Sequence, residues 1–390
     1  MNQMVNYVFL SVYFYSVPNL RFREFSLPWH QTPIKDLLSF QNGINGAPEQ
    51  YGKGIKYISV GDILNNDYIT YDKIVGSIDI SQETLKNYSV TYGDILFQRS
   101  SEIKDDIGRT NVYLDKDNTA TFGGFVIRGK KIGDYNPSFF SFLLKSPSSR
   151  KSIVRLGAGA QHYNIGQENI KTLSFYFPNE IEQVKIANLL SKIDKRIQTQ
   201  IKIIDRLYSQ IKYIKGQILN MTTITETKPL GQLCNISTGK RDANEMKSNG
   251  SYKFFTCSKD DYCIDTYSFD GEALIISGNG ELGLIKYYNG KFDAYQRTYV
   301  LQNFKCHPKY LMYVLQNKLP KKIEKEKNVG AMPYIVLKTL TSINIDILNM
   351  HDQIKIVNIL NKFEEKLEND RILLELFEKE KSFLLKNLFV

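Results

Sequence analysis

Apolar and polar positions alternate most regularly in two segments, residues 182–220 and 352–390. Steps of four and three residues along each segment meet apolar side chains over more than four heptads. A 3.5-residue period held this long predicts coiled-coil helices, each roughly 58 Å long at about 1.5 Å rise per residue. The apolar positions, called the seam below, are Ile186, Leu190, Ile193, Ile197 and Ile204, then Ile356, Leu360, Phe363, Leu367 and Leu374.

The two segments are copies of one helix. Residues 182–194 and 352–364 are identical at six of thirteen positions, where composition alone gives about one. Gln200 and Asp370 interrupt the seam at the same step, and a polar seam residue can fix register at a cost in stability. We predict that the helices pack antiparallel with these residues near the middle, and that replacing both with Leu raises the melting temperature. The alternative is that each helix packs on the globular stretch before it.

Two β-rich stretches surround the first helix. Alternating runs bounded by Gly, Asn and Asp predict strands and one short helix in the first stretch, at residues 57–60, 94–97, 125–127 and 173–177, and at 139–145. The second stretch predicts the same order, with strands at 252–255, 273–276, 299–301 and 343–347, and a helix at 310–316.

The two stretches are weak repeats of each other. Short phrases agree in pairs, at 33–37 and 229–233, 93–97 and 271–275, 136–140 and 307–311, and 159–163 and 330–334. We predict a mixed α+β chain with a pseudo-twofold internal repeat, in which two β-rich α/β domains are separated by two long helices that form an antiparallel coiled coil. The expected segments are an apolar extension at 1–16, a domain at 17–178, a helix at 179–225, a domain at 226–348 and a helix at 349–390. Similar frameworks with different loops favour recognition of two different targets.

Length and charge set broad limits on this interpretation. A chain of 390 residues exceeds one usual core and suggests two to three domains. A net charge of +10 is compatible with a polyanionic partner without requiring one. The apolar run at residues 5–17 is too short to span a bilayer and lacks the basic flank of a signal peptide, so we expect a strand or an ill-ordered extension there. No other segment suggests a membrane span.

Motifs for catalysis are weak. The four cysteines follow no zinc pattern and are expected to be buried, reduced thiols, consistent with the cytoplasm. Gly278, Gly280 and Gly283 fit a dinucleotide motif, but a strand pattern follows where a phosphate-binding helix is required. No two prolines are adjacent, so the Pro-Pro-aromatic loop of amino-methylating DNA methyltransferases is missing. We predict a chain that binds and does not catalyse, with no catalytic residue and no metal site.

Candidate binding residues lie in loops that follow predicted strands. Arg and Asn can contact guanine and adenine edges in pairs of hydrogen bonds, while Lys and Ser mostly hold phosphate. Each residue alone could be an ordinary solvated loop residue, and the set in matching loops favours DNA contact. The candidates are Arg99, Ser100, Ser101, Lys104, Arg109, Gln161 and Tyr163 in the first domain, and Thr238, Lys240, Arg241, Lys253, Lys259, Ser277, Asn279, Arg297 and Tyr334 in the second.

Three features are shared with a known protein family: the leading segment 17–22, the phrase Gly93-Asp94-Ile95-Leu96, and two helix starts with the pattern Glu/Asp-Gln-x-Lys-Ile. By these features the chain, from about Val17 onward, resembles the specificity subunits of type I restriction–modification enzymes. Residues 1–16 depart from it, being longer and more apolar than the usual leader.

The resemblance implies a division of labour. Each variable domain would be a target recognition domain that reads one half of a split DNA site. The helices would set the spacer and dock two modification subunits, which motor–nuclease restriction subunits join. S-adenosylmethionine, ATP and Mg²⁺ would then bind to the partner subunits, and no cofactor to this chain. A protein–protein scaffold with two adaptor domains and a fused DNA methyltransferase are the rival interpretations.

Overall fold

The computed structural model describes residues 17–218, 224–326 and 334–390, and the chain divides into two compact units. The first unit holds the chain up to Ile201 together with Leu373–Val390, and the second holds Lys202–Ile372. The predicted extension at 1–16 and most of the 330–334 phrase lie outside the described residues. None of the described helices is both long and apolar enough to cross a lipid bilayer.

The first unit begins with short strands and helices and ends in a long helix. Its strands are β1 (His30–Pro33), β2 (Leu38–Asn42), β3 (Tyr51–Ile58), β4 (Ser77–Ile78), β5 (Ile95–Gln98), β6 (Ser100–Ser101), β7 (Thr110–Val112), β8 (Thr121–Phe122), β9 (Val126–Lys131), β10 (Tyr163–Asn164) and β11 (Ser174–Phe177). Its helices are α1 (Ile34–Leu37), α2 (Val60–Leu64), α3 (Gln82–Asn87), α4 (Pro137–Lys145), α5 (Pro147–Val154), α6 (Gln167–Lys171) and the first part of α7 (Glu180–Ile218).

The second unit has the same kinds of element. Its strands are β12 (Ile224–Pro229), β13 (Asn235–Thr238), β14 (Tyr252–Phe255), β15 (Tyr262–Ile264), β16 (Glu272–Ser277), β17 (Ile285–Asn289), β18 (Phe292–Ala294), β19 (Thr298–Gln302) and β20 (Asn344–Leu348). Its helices are α8 (Pro308–Glu326), α9 (Leu337–Thr341) and the first part of α10 (Met350–Asn387).

The sheets have matching strand orders in the two units. A four-stranded antiparallel sheet has the order β2-β9-β5-β7 in the first unit and β13-β19-β16-β17 in the second. A three-stranded sheet has the order β4-β3-β8 or β15-β14-β18, and its last pair is parallel in both units. Antiparallel β1-β11 and β12-β20 join the start of each domain to the strand before the long helix. The predicted internal repeat is thus present in the topology as well as in the helices.

The long helices α7 and α10 run antiparallel within each unit. In the first unit, Lys381 Nζ of α10 lies 2.6 Å from Asp194 Oδ1 of α7. In the second unit, Lys215 Nζ of α7 lies 2.9 Å from Glu364 Oε1 of α10. Because the end of each helix meets the beginning of the other, the predicted antiparallel pairing is confirmed.

The seam is the buried face of both helices. Ile204, Phe363 and Leu374 are partly buried, and the other apolar seam residues predicted above are buried. Gln200 and Asp370 are also buried and lie at the middle of their helices, in the first and second unit respectively. The alternative packing occurs too, because the seam residues at the start of each helix join the core of the domain before it.

The repeated glutamine at each helix start has a structural role. Gln183 Nε2 donates to the Pro178 carbonyl at 3.0 Å, and its Oε1 accepts from the Asn136 amide at 2.9 Å. Gln353 does the same in the second unit, with the Leu348 carbonyl at 2.7 Å and the His307 amide at 2.8 Å. Each glutamine therefore ties three elements together: the exit of the last strand, its own long helix, and the start of α4 or α8. Buried polar groups are retained where every hydrogen bond is satisfied in this way.

Some predicted boundaries were wrong. Val60 was predicted to end a strand but begins helix α2, because Asp62 accepts hydrogen bonds from the Ser59 amide and hydroxyl and starts a helical turn. Phe125 was predicted inside a strand, whereas β9 begins at Val126. The predicted helix at 310–316 is the middle of α8, which extends from Pro308 to Glu326.

Candidate nucleic-acid interface

In the first unit, three chain segments meet beside the ends of β5 and β9. The Arg99 amide donates to the Phe125 carbonyl at 2.9 Å, and the Ile165 amide donates to the Arg99 carbonyl at 3.0 Å. The loop after β5 is therefore held between the turn before β9 and the segment after β10.

The same junction exists in the second unit. The Gly278 amide donates to the Arg297 carbonyl at 3.0 Å, and the Ile335 amide donates to the Gly278 carbonyl at 2.9 Å. Since the donor and acceptor positions match, Arg99 and Gly278 are equivalent residues, and so are Phe125 and Arg297.

A short antiparallel strand pair brings two groups of first-domain candidates together, those after β5 and those near residue 163. Strand β6 pairs antiparallel with β10, with Ser101 opposite Tyr163 and Ser100 opposite Asn164. Gln161 is exposed just before β10. The candidates after β5 and those near residue 163 therefore form one surface, although they are far apart in sequence.

The three cationic candidates of that loop differ in exposure and in their contacts within the protein. Lys104 is exposed, while the Arg109 guanidinium lies 2.6 Å from the Asp106 carboxylate. The Arg99 guanidinium is half-buried and donates to the Gly124 carbonyl at 3.2 Å. Lys104 is thus open to solvent, whereas the Arg99 and Arg109 guanidinium groups are oriented by contacts within the protein.

A residue missed by the sequence analysis supports this loop. Arg150 of α5 donates to the carbonyls of Gly108, Asp105 and Ile107 at 2.8–2.9 Å. Burial, and to a smaller extent the nearby Arg109 guanidinium, lower the pKa of Arg150 to about 10. A guanidinium with several donors in a fixed fork suits such a role. Arg150 is 42 to 45 residues away in sequence from the carbonyls that it binds, so no local sequence pattern indicated this role.

In the second domain, Lys240 and Arg241 have different surroundings. Lys240 is exposed at the turn after β13, which Thr238 ends. Arg241 Nε lies 3.1 Å from Oδ2 of the fully buried Asp293, and its Nη1 lies 3.2 Å from the Glu245 carboxylate. Arg241 is thus held by the domain's own carboxylates, and Lys240 is the cation of this turn that faces solvent.

Four second-domain candidates converge at the end of β16. Ser277 is buried and pairs with Thr298 in the sheet, and Asn279 follows it in the loop. Arg297 and Tyr334 are exposed. The Arg297 carbonyl accepts from the Gly278 amide, and Tyr334 precedes Ile335, whose amide donates to the Gly278 carbonyl. These positions form the counterpart of the first-domain surface.

The two remaining lysines sit in ion pairs. Lys253 Nζ lies 3.3 Å from the Asp261 carboxylate, and Lys259 Nζ lies 3.4 Å from the Glu281 carboxylate. Both pairs are largely exposed, so they are screened by solvent and leave the ammonium groups available.

The described residues contain no group of three or more His, Cys, Asp or Glu side chains arranged to hold a metal ion. Burial raises the pKa of Cys234 to about 12 and that of Cys306 to about 11, as expected for inert thiols, whereas Cys257 and Cys263 are half-buried. The glycine motif at Gly278–Gly283 is followed in sequence by strand β17, as predicted, and not by a helix.

Comparison with known proteins gives one consistent result. The family model described as "Type I restriction modification DNA specificity domain" matches residues 28–208 and 225–377. The EcoDI type I restriction enzyme specificity subunit of Escherichia coli is 35% identical over 150 residues, which are 38% of this chain and 33% of that protein. A type I specificity subunit of Mycoplasma pneumoniae is 27% identical over 226 residues, 54% of this chain and 81% of that protein.

Solved structures share the fold. The S subunit of a type I restriction–modification system from M. genitalium has a TM-score of 0.64 at 19% identity, over 96% of this chain and 99% of that one. A chain from a structure concerned with complex assembly and conformational transition of the type I system has a TM-score of 0.55 at 11% identity, over 93% and 98%. The match to the EcoDI protein spans only a third of that relative's length. With two family matches that together cover most of its residues, the chain belongs to the type I restriction–modification DNA specificity family.

Proposed function

We propose that this chain is the DNA-reading, non-catalytic subunit of a type I restriction–modification complex, in which each domain reads one half of a bipartite site. The observation that carries the proposal is the matched junction with different side chains. Arg99 in one domain stands where Gly278 stands in the other, although the backbone hydrogen bonds are the same. A constant frame with changed side chains is what reading two different half-sites requires.

Charge on these loops supports contact with a polyanion. Lys104, Lys240 and Arg297 are exposed, and within residues 17–218, 224–326 and 334–390 none of them forms an ion pair with a carboxylate. Phosphate contacts by such cations supply affinity, while contacts to base edges supply the choice of sequence.

The partners follow from the family. Double-stranded DNA is the target, two modification subunits dock on the paired helices, and restriction subunits complete the complex. S-adenosylmethionine, ATP and Mg²⁺ bind to those subunits and not to this chain, and the complex works in the cytoplasm. Each helix of roughly 58 Å exceeds one turn of B-DNA, about 34–36 Å, so helix length would set the number of unread base pairs.

The direct test is DNA binding as a function of salt. The full chain with its modification subunits should bind a bipartite duplex, and the logarithm of the binding constant should fall linearly with the logarithm of salt concentration. Mapping of methylated motifs in cells with and without the gene should reveal one split motif that depends on it.

Each rival function predicts a different result. A protein–protein scaffold would retain no DNA at any salt concentration and would leave the methylated motifs unchanged. A fused methyltransferase would transfer methyl groups as a purified single chain. Either result would overturn the proposal.

A further inference from the structure

Phe125 and Arg297 occupy the same position in the two domains. Each is the last residue of the tight turn that leads into the central strand, β9 or β19. Three backbone hydrogen bonds fix each turn, and they match in pairs: Val126 N to Gly123 O and Thr298 N to Tyr295 O, both 2.8 Å; Arg99 N to Phe125 O and Gly278 N to Arg297 O, 2.9 and 3.0 Å; Gly43 N to Val126 O and Gly239 N to Thr298 O, both 3.1 Å.

The turn in the first domain is closely packed at Gly123 and Gly124 and exposed at Phe125. A Cβ atom at Gly123 would lie 2.4 Å from the Tyr57 hydroxyl, and one at Gly124 would lie 2.2 Å from Asn45 Oδ1. Both neighbours therefore pack against the turn backbone and leave no room for other side chains. The Phe125 ring therefore projects into solvent from a turn whose backbone is closely packed against Tyr57 and Asn45.

The two side chains are chemically unlike. Phe125 presents a large apolar ring that is 67% exposed, beside the polar Arg99 and Ser100. Arg297 presents an exposed guanidinium that, among the described residues, is paired with no carboxylate. A single exposed ring surrounded by polar groups is not an extended apolar patch of the kind that binds protein partners.

We propose that Phe125 and Arg297 are equivalent base-reading positions, Phe125 contacting the C5-methyl group of a thymine in one half-site and Arg297 contacting O6 and N7 of a guanine in the other. The inference rests on the proposed function and extends it to the chemistry of one base pair in each half. Equivalent turns approach the same groove, and the major groove offers both an apolar partner for phenylalanine and a paired acceptor for arginine.

The test removes matching atoms from protein and DNA. Once methylation mapping has defined the site, each thymine of the first half-site is replaced by deoxyuridine, which lacks the methyl group. We expect one such replacement to weaken binding by the complex about 10-fold, and to have no effect on the Phe125→Ala complex. In the other half-site, one 7-deazaguanine should weaken the wild type about 10-fold and leave Arg297→Ala unchanged.

A matched control and a gain-of-function variant complete the design. Val75 is an exposed apolar residue of the same domain whose backbone forms none of the junction hydrogen bonds, and Val75→Ala should retain the wild-type response at every position. Phe125→Arg should shift the preferred base at the sensitive position from thymine toward guanine.

The outcomes separate the inference from the proposed function. If the wild-type complex shows no sequence-specific binding, the proposed function itself fails. If it binds specifically but no thymine replacement distinguishes wild type from Phe125→Ala, or if the first half-site contains no thymine, the inference alone is overturned. Loss of subunit assembly in Phe125→Ala with unchanged base preference would make Phe125 a protein contact and overturn it as well.

Discussion

Asp194 and Glu364 stand at the same step of the two copies of the long helix, and each accepts an ion pair from a lysine of the opposite helix. The lysines are not equivalent, since Lys381 corresponds to Ile211 and Lys215 to Leu385. The repeated carboxylate is thus neutralised from two different positions, one in each unit. The carboxylates also differ in burial, since the Asp194 side chain is 15% exposed and that of Glu364 is 39% exposed.

Removing the lysine of the first pair should destabilise the protein. Lys381→Met leaves the mostly buried Asp194 carboxylate without its cation, which we expect to cost about 1–3 kcal/mol of unfolding free energy, measured by denaturant titration. Lys379→Met is the control, because Lys379 pairs with Glu375 on the exposed face of the same helix. Equal effects of the two substitutions would contradict a structural role for the Asp194 pair.

Lys145 should make stability depend on pH above neutrality. Burial, and to a smaller extent the nearby Lys381 ammonium, lower the pKa of Lys145 to about 8, and its ammonium donates to the Asp67 carbonyl at 2.8 Å. Below pH 8 both folded and unfolded states hold the proton. Between about pH 8 and the ordinary lysine range, the unfolded state binds more protons, so stability rises with pH by about 1–3 kcal/mol.

The measurement compares two lysines. Unfolding free energies of wild type, Lys145→Met and Lys151→Met are measured between pH 7.5 and 9.5, with Lys151 as an exposed residue of the next helix. The rise should vanish only in Lys145→Met. If the unfolding free energy of Lys145→Met still rises with pH, another titrating group causes the pH dependence.

The ion pair between Arg21 and Glu182 should contribute strongly to the first unit. Arg21 donates to both Glu182 oxygens at 2.8 Å, and the carboxylate is fully buried beside the Trp29 indole. Because Arg21→Met leaves a buried charge unpaired, we expect a loss of about 3–5 kcal/mol in an unfolding experiment. Arg23→Met, two residues away and exposed, should leave stability nearly unchanged.

Lys240 and Arg241 should separate DNA binding from stability. Lys240→Met should leave the melting temperature unchanged while reducing the slope of the salt dependence of DNA binding by about 1, as for loss of one phosphate contact. Arg241→Met should lower the melting temperature, because it removes the cation beside the buried Asp293. The opposite assignment of effects would show that Arg241 is the DNA contact.

Arg99→Ala should impair one half-site only. If Arg99 reads a base, loss of its guanidinium should reduce the binding free energy by about 1–3 kcal/mol on duplexes with the cognate first half-site. The ability to discriminate between sequences of the second half-site should not change. Binding is measured with duplexes mutated in one half at a time. Equal weakening on all duplexes would instead indicate a phosphate contact.

The long helices and the repeat could be predicted because their signals are local and periodic. The seam depends on residues three and four apart. Gln183 and Gln353 were recognised as identical residues in the two repeated helix starts. Their function was not visible, since each glutamine hydrogen-bonds an amide 46 or 47 residues earlier in the chain.

The candidate site was predicted less well, because its geometry depends on long-range pairing. Arg241 was chosen as a candidate DNA contact, but its guanidinium pairs with Asp293, which is 52 residues away in sequence. Phe125 was assigned to a strand from its apolar neighbours, while the turn hydrogen bond from Val126 to Gly123 leaves its ring outside the sheet. Local pattern selects candidate loops, whereas tertiary hydrogen bonds and ion pairs decide which side chains in those loops face solvent.

The division of the long helices between the units has a consequence for synthesis on the ribosome. The core of the first unit contains Leu384, Leu388 and Phe389, which pack with Trp29 and Phe139. The second unit is one uninterrupted stretch, Lys202–Ile372, so all of it emerges from the ribosome before those residues do. The unit that is translated first is therefore the unit that completes its core last, and part of its apolar surface stays uncovered until residues 384–389 emerge.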